Sequence, residues 1–350
     1  SFFPQLVAGP IERSYNLLAQ FDDKHTIKRE NLGTGAFLIL WGLFKKMVIA
    51  DRAAILVDTA FGAPDVYGGT YVAVAALVYA IQIYGDFSGG IDIATGAAQI
   101  FGVTLDKNFE RPYLATSIPD YWRRWHITLG AWFRDYVFYP LSLSKFFSRL
   151  GKRCRKLLGN YIGKLIPVLI PQFIIFFLIG IWHGAEWKYI VFGCYNGTLI
   201  VLGILFEQPL QKLVKKLGIR TECISWRIFQ VIRTLILVAI GKIITRADSV
   251  YYAAYMIVSL FRWWDTDVLL NGGLLTMGLD GKDLWVLFLS CLVLLCVSLM
   301  QESGIKVREA LAKQNLYFRW IIYLCAVFSL IFFGVYGLNY DAADFIYRGF

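Results

Sequence analysis

Long uncharged apolar runs recur along the chain and are separated by shorter polar segments. At a rise of about 1.5 Å per residue, roughly 20 apolar residues cross the hydrocarbon core of a bilayer as a helix. Only segments whose backbone groups are hydrogen-bonded internally can cross lipid, so each run predicts a transmembrane helix. Together the runs predict an all-α, polytopic integral membrane fold. The runs comprise residues 66–85, 165–185, 189–206, 284–300 and 320–340.

The segments between these runs carry their own signals. Residues 1–32 are mixed in polarity, which favours a loop or an interfacial segment. Residues 34–44 are apolar but short, and together with residues 47–50 they suit a kinked, tilted or re-entrant helix. Residues 86–92 are rich in glycine and predict a helix break. Residues 106–134 are polar but studded with aromatic side chains, a pattern typical of short helices at the membrane interface.

Composition supports the membrane assignment. Hydrophobic residues make up 57% of the 350-residue chain and charged residues 17%, whereas soluble domains carry about 25% charged residues. The net charge of +10 could indicate nucleic-acid binding. However, the basic residues concentrate in residues 145–164 and 212–220, as expected of cytoplasmic loops under the positive-inside rule. We therefore expect membrane lipid as a partner and no nucleic acid.

If both basic segments face the cytoplasm, the two apolar runs between them form a hairpin. Its turn, residues 182–188, then lies towards the opposite side or inside the membrane, and it contains His183. An ionisable residue at the end of an apolar span is costly to bury and is by default a functional candidate.

The chain has three histidines, of which His25 lies in a charged segment and is expected to be an ordinary surface residue. His126 and His183 each lie between tryptophans. A histidine near a helix end can be a structural hydrogen-bonding group, but burial keeps an imidazole neutral and able to act as a general base towards a hydroxyl. Gly184 would allow a close approach beside the second ring.

Polar groups after the run at residues 66–85 form another candidate cluster. Asp86 and Ser88 could orient helices, bind a cation or hold a substrate; the alternative is a capped helix break. The surroundings of Ser88 do not form the strand-turn-helix elbow of a nucleophilic serine. Asn108 could donate a hydrogen bond to a developing oxyanion.

Several arginines lie in the aromatic segment. Guanidinium groups suit phosphate or carboxylate recognition, such as the phosphates of coenzyme A, but they can also contact lipid headgroups by snorkelling. These arginines are Arg111, Arg123, Arg124 and Arg134. Six cysteines without a paired spacing predict packing residues, and the histidine spacing predicts no metal site.

An ordered set of short motifs resembles the membrane-bound O-acyltransferase family, in its bacterial branch typified by the alginate O-acetylation membrane protein. The motifs are Phe3-Pro-Gln-Leu-Val-Ala-Gly-Pro-Ile11, Tyr84-Gly-Asp-Phe-Ser-Gly89, Asn108-Phe-Glu-Arg-Pro-Tyr113, Tyr121-Trp-Arg-Arg-Trp-His126, Trp132-Phe-Arg-Asp-Tyr136, Trp182-His-Gly184, Arg246-Ala-Asp-Ser249 and Phe345-Ile-Tyr-Arg-Gly-Phe350. Tyr84-Gly-Asp86 departs from the commoner Tyr-Ser-Asp pattern, and Arg348-Gly349 departs from the expected terminal pattern.

The resemblance implies an α-helical fold around a transmembrane tunnel, with His183 as the catalytic histidine and His126 as a second important one. Residues 1–350 would form a single membrane-embedded acyltransferase domain that lacks the family's N-terminal helices. The motifs make further residues candidates for binding substrate or donor: Asp86, Ser88, Asn108, Arg111, Trp122, Arg123, Arg124, Arg134, Asp135 and Trp182.

The implied activity is O-acyl transfer, with acetyl the expected group, across or within the inner or plasma membrane for O-acetylation of a cell-surface polysaccharide. Acetyl-CoA or an acyl carrier would be the thioester co-substrate, with no bound cofactor, and an extracytoplasmic acyl-accepting or acetyltransferase protein the partner. Transfer of D-alanyl groups onto teichoic acids by a related branch is an alternative. A transporter or flippase, or a non-catalytic envelope scaffold, would also be polytopic with polar residues inside the membrane.

Overall fold

A computed structural model describes residues 2–6, 9–22, 26 and 28–336. His25 and the motif at residues 345–350 lie outside the described residues. The chain forms two compact units, one comprising Ser1–Arg111 with Met256–Phe350 and the other Pro112–Tyr255. That residues 1–350 act as one acyltransferase domain stays a prediction.

The described residues are predominantly α-helical. In chain order the α-helices are α1 Phe3–Leu6, α2 Ser14–Phe21, α3 Arg29–Leu43, α4 Asp51–Gly62, α5 Thr70–Ile100, α6 Ile118–Arg124, α7 Ile127–Phe133, α8 Tyr139–Ser142, α9 Lys145–His183, α10 Trp187–Lys216, α11 Ile224–Arg246, α12 Val250–Arg262, α13 Gly281–Glu302, α14 Val307–Ala312 and α15 Leu316–Phe333. The segments Phe44–Ala50 and Arg134–Phe138 are π-helical.

Seven helices in the described part of the chain are long and apolar enough to cross a membrane. Five of them contain or overlap the predicted spans, so the polytopic, all-helical fold is confirmed. The other two are the continuous helix Arg29–Gly62, which extends well beyond the short element expected at residues 34–44, and Ile224–Arg246. The chain is therefore a multi-pass membrane protein.

In the first unit, α5 continues through the glycine-rich segment, and the expected helix break at residues 86–92 is wrong. The glycines serve packing instead. A Cβ at Gly89 would lie 2.7 Å from the carbonyl oxygen of Gly42, and one at Gly96 would lie 2.6 Å from that of Gly35. Such a contact leaves no room for a side chain, so these glycines allow α3 and α5 to pack backbone against backbone, as small residues do in membrane bundles.

The second unit contains the predicted hairpin. Helix α9 ends at His183 and α10 begins at Trp187, so the turn falls within the predicted residues 182–188. The two helices cross closely at Gly180 and Gly193, where a Cβ on Gly193 would lie 3.1 Å from the Cα of Gly180.

The basic segments that flank this hairpin are mainly helical, which corrects the expectation of loops. Residues 145–164 form the first part of α9, with a kink at Gly159 (φ +84°), and α10 runs on to Lys216. Lysine and arginine have high helix propensity and reach water along their own stems, so a helix can extend past the apolar stretch without a turn. The side of the membrane they face stays a prediction.

Residues 1–32 also contain more helix than expected, namely α1, α2 and the start of α3. Residues 106–134 agree with the prediction of short helices, because they hold α6, α7 and a 3-10 turn at Pro112–Leu114.

Candidate active site

His183 is the last residue of α9, and the chain leaves the helix at Gly184 with φ +153°. The ring of Tyr189 stacks beside the imidazole of His183, with centroids 6.2 Å apart, and the ring of Phe192 meets it edge-on at 5.9 Å. A Cβ at residue 184 would lie 2.8 Å from the Tyr189 ring. The sequence predicted that backbone or substrate could approach closely at this glycine, whereas the group that lies against it in the structure is the Tyr189 side chain.

His126 lies between α6 and α7 in the left-handed conformation, with φ +46° and ψ +54°. This conformation is uncommon for a residue other than glycine, and where it persists the surrounding structure holds it. The side chain is 5% exposed. Burial, together with the charge of His183, lowers the pKa of His126 to about 3, so its imidazole is neutral at physiological pH.

Trp182 brings the two histidines into one cluster. Its ring centroid is 5.1 Å from that of His183 and 6.4 Å from that of His126. Two histidines far apart in sequence thus share an aromatic environment, in which His126 is buried and Trp182 is exposed. We call His126, Trp182, His183, Tyr189 and Phe192 the histidine cluster.

Trp122 anchors α6 to the hairpin. Its indole Nε1 donates a hydrogen bond to Oδ1 of Asn196 (3.2 Å), and Nδ2 of Asn196 donates to the carbonyl oxygen of Phe192 (2.9 Å). The Trp122 ring also packs edge-on against Phe176 at 5.1 Å. Trp122 therefore connects the segment before His126 to both helices that carry the other cluster residues.

The arginines of the second unit pair with nearby carboxylates. Nε of Arg124 lies 3.2 Å from Oδ1 of Asp120, and the largely exposed Arg123 lies 3.5 Å from the same oxygen. Nε of Arg134 lies 3.4 Å from Oδ1 of Asp135, and both side chains are exposed. Donor binding by these residues stays a prediction.

Asp86 lies in the first unit, where it shares a lysine with a second carboxylate. Nζ of Lys46 lies 2.6 Å from Oδ1 of Asp86 and 2.8 Å from Oδ1 of Asp51. Lys46 belongs to the π-helical segment between α3 and α4, so the ion pairs join that segment to α5. This arrangement is the helix-orienting role considered for Asp86.

Ser88 takes part in a neighbouring set of contacts. Nζ of Lys45 donates a hydrogen bond to Oγ of Ser88 (2.8 Å) and lies 2.9 Å from Oδ2 of Asp92. Oγ of Ser88 in turn donates to the carbonyl oxygen of Tyr84 (2.6 Å). This hydroxyl thus accepts one hydrogen bond and donates another within the protein.

Asn108 and Arg111 also lie in the first unit. Asn108 is 1% exposed. Arg111 has φ +51°, and its Nε lies 2.7 Å from Oε2 of Glu302 on α13. Among the described residues there is no group of three histidine, cysteine, aspartate or glutamate side chains that could hold a metal ion.

Comparison with known proteins identifies the relatives of this chain. Residues 1–152, which include His126, match the model of the MBOAT, membrane-bound O-acyltransferase family. The chain is 33% identical over 266 residues to "Probable alginate O-acetylase AlgI" of Pseudomonas syringae pv. tomato, a match that covers 76% of this chain and 45% of that protein. The resemblance to the membrane-bound O-acyltransferases is confirmed.

Other relatives have different names. The chain is 38% identical over 214 residues to the peptidoglycan O-acetyltransferase of Helicobacter pylori, covering 61% of this chain and 37% of that protein. It is 31% identical over 212 residues to the teichoic acid D-alanyltransferase of Bacillus subtilis, covering 59% and 50%. The chain spans about half the length of these curated relatives or less.

Lys242 of α11 is a basic residue near the histidine cluster that the sequence did not single out. Its ammonium lies 4.4 Å from the ring centroid of Trp125 and 6.0 Å from that of Phe192, a member of the histidine cluster. The signal was present in the sequence, because Lys242 is the single charged residue between Arg233 and Arg246.

Proposed function

We propose that this protein is a membrane O-acyltransferase that transfers acetyl groups from a thioester donor towards a hydroxyl of a cell-surface polysaccharide, in the inner or plasma membrane. The observation that carries the proposal is the convergence of His126 and His183 on the ring of Trp182 within one aromatic cluster. Names of relatives that include O-acetylase and O-acetyltransferase support the reaction class.

His183 is proposed as the general base. Its imidazole takes the proton of the acceptor hydroxyl as the oxygen attacks the acyl carbonyl carbon. The tetrahedral intermediate then expels the thiolate, which receives the proton, so that an ester and a free thiol result. Positioned acid-base catalysis of this kind contributes about 10²–10⁴ in rate.

His126 is proposed to assist or orient this step. Its neutral imidazole can donate or accept a hydrogen bond, and its pKa of about 3 keeps it uncharged beside His183 across the physiological range. The left-handed backbone at this position turns the chain sharply between α6 and α7 and thereby directs the ring into the cluster.

The donor and partner follow from the reaction. An acetyl thioester, either acetyl-CoA or an acyl carrier, would supply the group. An extracytoplasmic acyl-accepting or acetyltransferase protein would receive it or act on the polysaccharide. Arg123, Arg124, Arg134, Trp122 and Asp135 remain proposed donor contacts, as do the candidates of the first unit.

The test compares purified wild type with His183→Ala after incubation with radiolabelled acetyl-CoA and a hydroxyl acceptor. We expect ester formation to fall at least 10²-fold while the variant still inserts into membranes. His25→Ala is the matched control and should keep wild-type activity. Wild-type ester formation by His183→Ala would overturn the proposed role of this residue.

D-alanyl transfer is the second candidate, because one relative is named a teichoic acid D-alanyltransferase. When a D-alanyl thioester and the acetyl thioester are offered together, the thioester that wild type consumes shows which reaction it catalyses. If neither thioester is consumed, and solute transport survives loss of both histidines, the protein is a transporter instead.

A further inference from the structure

Lys242 places a basic side chain inside a membrane span. It belongs to α11, Ile224–Arg246, which is apolar enough to cross a bilayer, and the residue is only 5% exposed. A lysine near a helix end can extend its stem to the headgroups, but such snorkelling leaves the ammonium in water. The burial of Lys242 excludes that arrangement here. Ionisable residues buried within spans are rare and are functional candidates by default.

The surroundings of Lys242 do not neutralise it. Its ammonium faces the rings of Trp125 at 4.4 Å and Phe192 at 6.0 Å. Within the described part of the chain, no carboxylate lies at ion-pair distance from its Nζ. Cation–π contacts offset only part of the cost of removing an ammonium from water, so the site can accept a negative charge from a bound molecule.

The position of Lys242 associates it with the candidate catalytic groups. The ring of Phe192 contacts both the Lys242 ammonium and the His183 imidazole. Trp125, under the ammonium, directly precedes His126 in the chain.

We propose that Lys242 binds the negative charge that develops on the acyl carbonyl oxygen during transfer. The inference rests on the proposed acyltransferase function. As the acceptor oxygen bonds to the carbonyl carbon, His183 takes its proton and the carbonyl oxygen becomes an oxyanion beside the ammonium. When the carbon–sulfur bond breaks, the carbonyl double bond re-forms, the thiolate takes the proton from His183, and Lys242 returns to its starting state.

A positive charge fixed among aromatic rings suits this role. Charge that is already in place when the oxyanion forms needs no reorganisation, and exclusion of water strengthens the interaction. Removal of one oxyanion-stabilising group typically lowers kcat about 10²–10³-fold.

An ammonium at this place could instead bind a phosphate of the donor. The two possibilities are separated by two donors, acetyl-CoA and the thioester S-acetyl-N-acetylcysteamine, which contains no phosphate. Wild type, Lys242→Met, Lys242→Arg and the control Lys215→Met are assayed with each donor as the intact membrane protein. Lys215 is an exposed lysine in the last turn of α10 and also becomes methionine in its variant.

We expect Lys242→Met to lower kcat about 10²–10³-fold with both donors and to leave each KM within about threefold. Lys242→Arg should recover part of the loss because it keeps a cation, and Lys215→Met should match wild type. A rise in KM confined to acetyl-CoA would show phosphate binding and overturn the oxyanion role. An unchanged kcat in a folded Lys242→Met protein would also overturn it.

Folding is monitored by thermal unfolding of each variant. If Lys242→Met unfolds, Lys242→Gln, which keeps a polar group but no charge, takes its place in the assay under the same expectations. The failure of this inference can be distinguished from the failure of the proposed function. If wild type consumes neither thioester, the acyltransferase proposal fails, whereas an active wild type with an equally active Lys242 variant refutes only this inference.

Discussion

The close crossing of α9 and α10 makes a quantitative prediction for Gly193→Ala. A Cβ at this position would overlap the carbonyl oxygen of Phe176 and lie 3.1 Å from the Cα of Gly180. Both neighbours are helix backbone, which cannot rotate away, so the helices must separate locally. Overpacking of this kind typically costs about 1–3 kcal/mol.

Gly203 on the same helix provides the matched control, because a Cβ there meets nothing within 4 Å. Alanine at this open position gains helix propensity of about 1 kcal/mol without a clash. Gly193→Ala gains the same propensity, so the two variants should differ by the overpacking cost alone. We therefore expect the free energy of unfolding of Gly193→Ala to lie about 1–3 kcal/mol below that of Gly203→Ala. Unfolding by titration with sodium dodecyl sulfate, followed by tryptophan fluorescence, measures this difference.

Activity supplies a second readout of the same change. His183 ends α9 ahead of the turn, so separation of the two helices should displace its imidazole from the other cluster residues. A displacement of about 1 Å can cost about 10²-fold in rate. If Gly193→Ala is as stable and as active as Gly203→Ala, the backbone contact between the helices is refuted.

The remaining predictions concern single contacts. Gly184→Ala should lower acyl transfer about tenfold or more with little change in KM, since its Cβ would lie 2.8 Å from the Tyr189 ring; wild-type kcat would contradict this. Lys46→Met should lower the free energy of unfolding by about 3–5 kcal/mol. Asp86→Leu should lower it by less, because Lys46 then still pairs with Asp51. The reverse order of the two variants in detergent unfolding would refute the sharing of Lys46 by the two carboxylates. His126 has a pKa of about 3 in the folded protein and an ordinary pKa of 6.5. Its contribution to the free energy of unfolding is therefore complete above pH 6.5 and declines as the pH falls towards 3. From pH 7.5 to pH 5, the free energy of unfolding of wild type should fall by about 2 kcal/mol more than that of His126→Asn, since asparagine tolerates the left-handed backbone but does not titrate. Equal falls in the two proteins would contradict the burial of a neutral imidazole.

The apolar runs predicted five of the seven candidate spans, and the two omissions have a common cause. Arg29–Gly62 contains Lys45 and Lys46, and Ile224–Arg246 contains Lys242. Charged residues interrupt an apolar run when the sequence is considered alone. Ion pairs or aromatic contacts made by other helices allow such a helix to remain in the membrane, and those contacts depend on the tertiary fold.

The glycine-rich segment shows a second limit of local patterns. Glycine in a helix costs about 1 kcal/mol relative to alanine, which makes a break at residues 86–92 a natural prediction. In α5 the glycines instead face the backbone of α3, and the close packing gained there offsets the lower propensity. The identity of the neighbouring helix decides between these outcomes, and it cannot be obtained from the segment itself.

The candidate site was predicted only in part. Flanking tryptophans and a turn position singled out His126 and His183, but nothing in their spacing indicates that Trp182 contacts both rings. Serine and aspartate candidates of the first unit matched motifs as well as the histidines did. Their contacts with Lys45 and Lys46 show that these groups also hold helices together.

The lysines within the spans differ in how the protein accommodates their charge, and the difference bears on function. Lys45 and Lys46 lie 2.9 Å or less from carboxylates, so their charges are balanced within the protein and contribute to helix packing. Lys242 faces two aromatic rings instead. The first unit shows that this fold can place a carboxylate beside a buried lysine. Lys242 lies beside the histidine cluster and has no carboxylate at ion-pair distance among the described residues. Its ammonium therefore remains available to a negative group that arises only during the reaction.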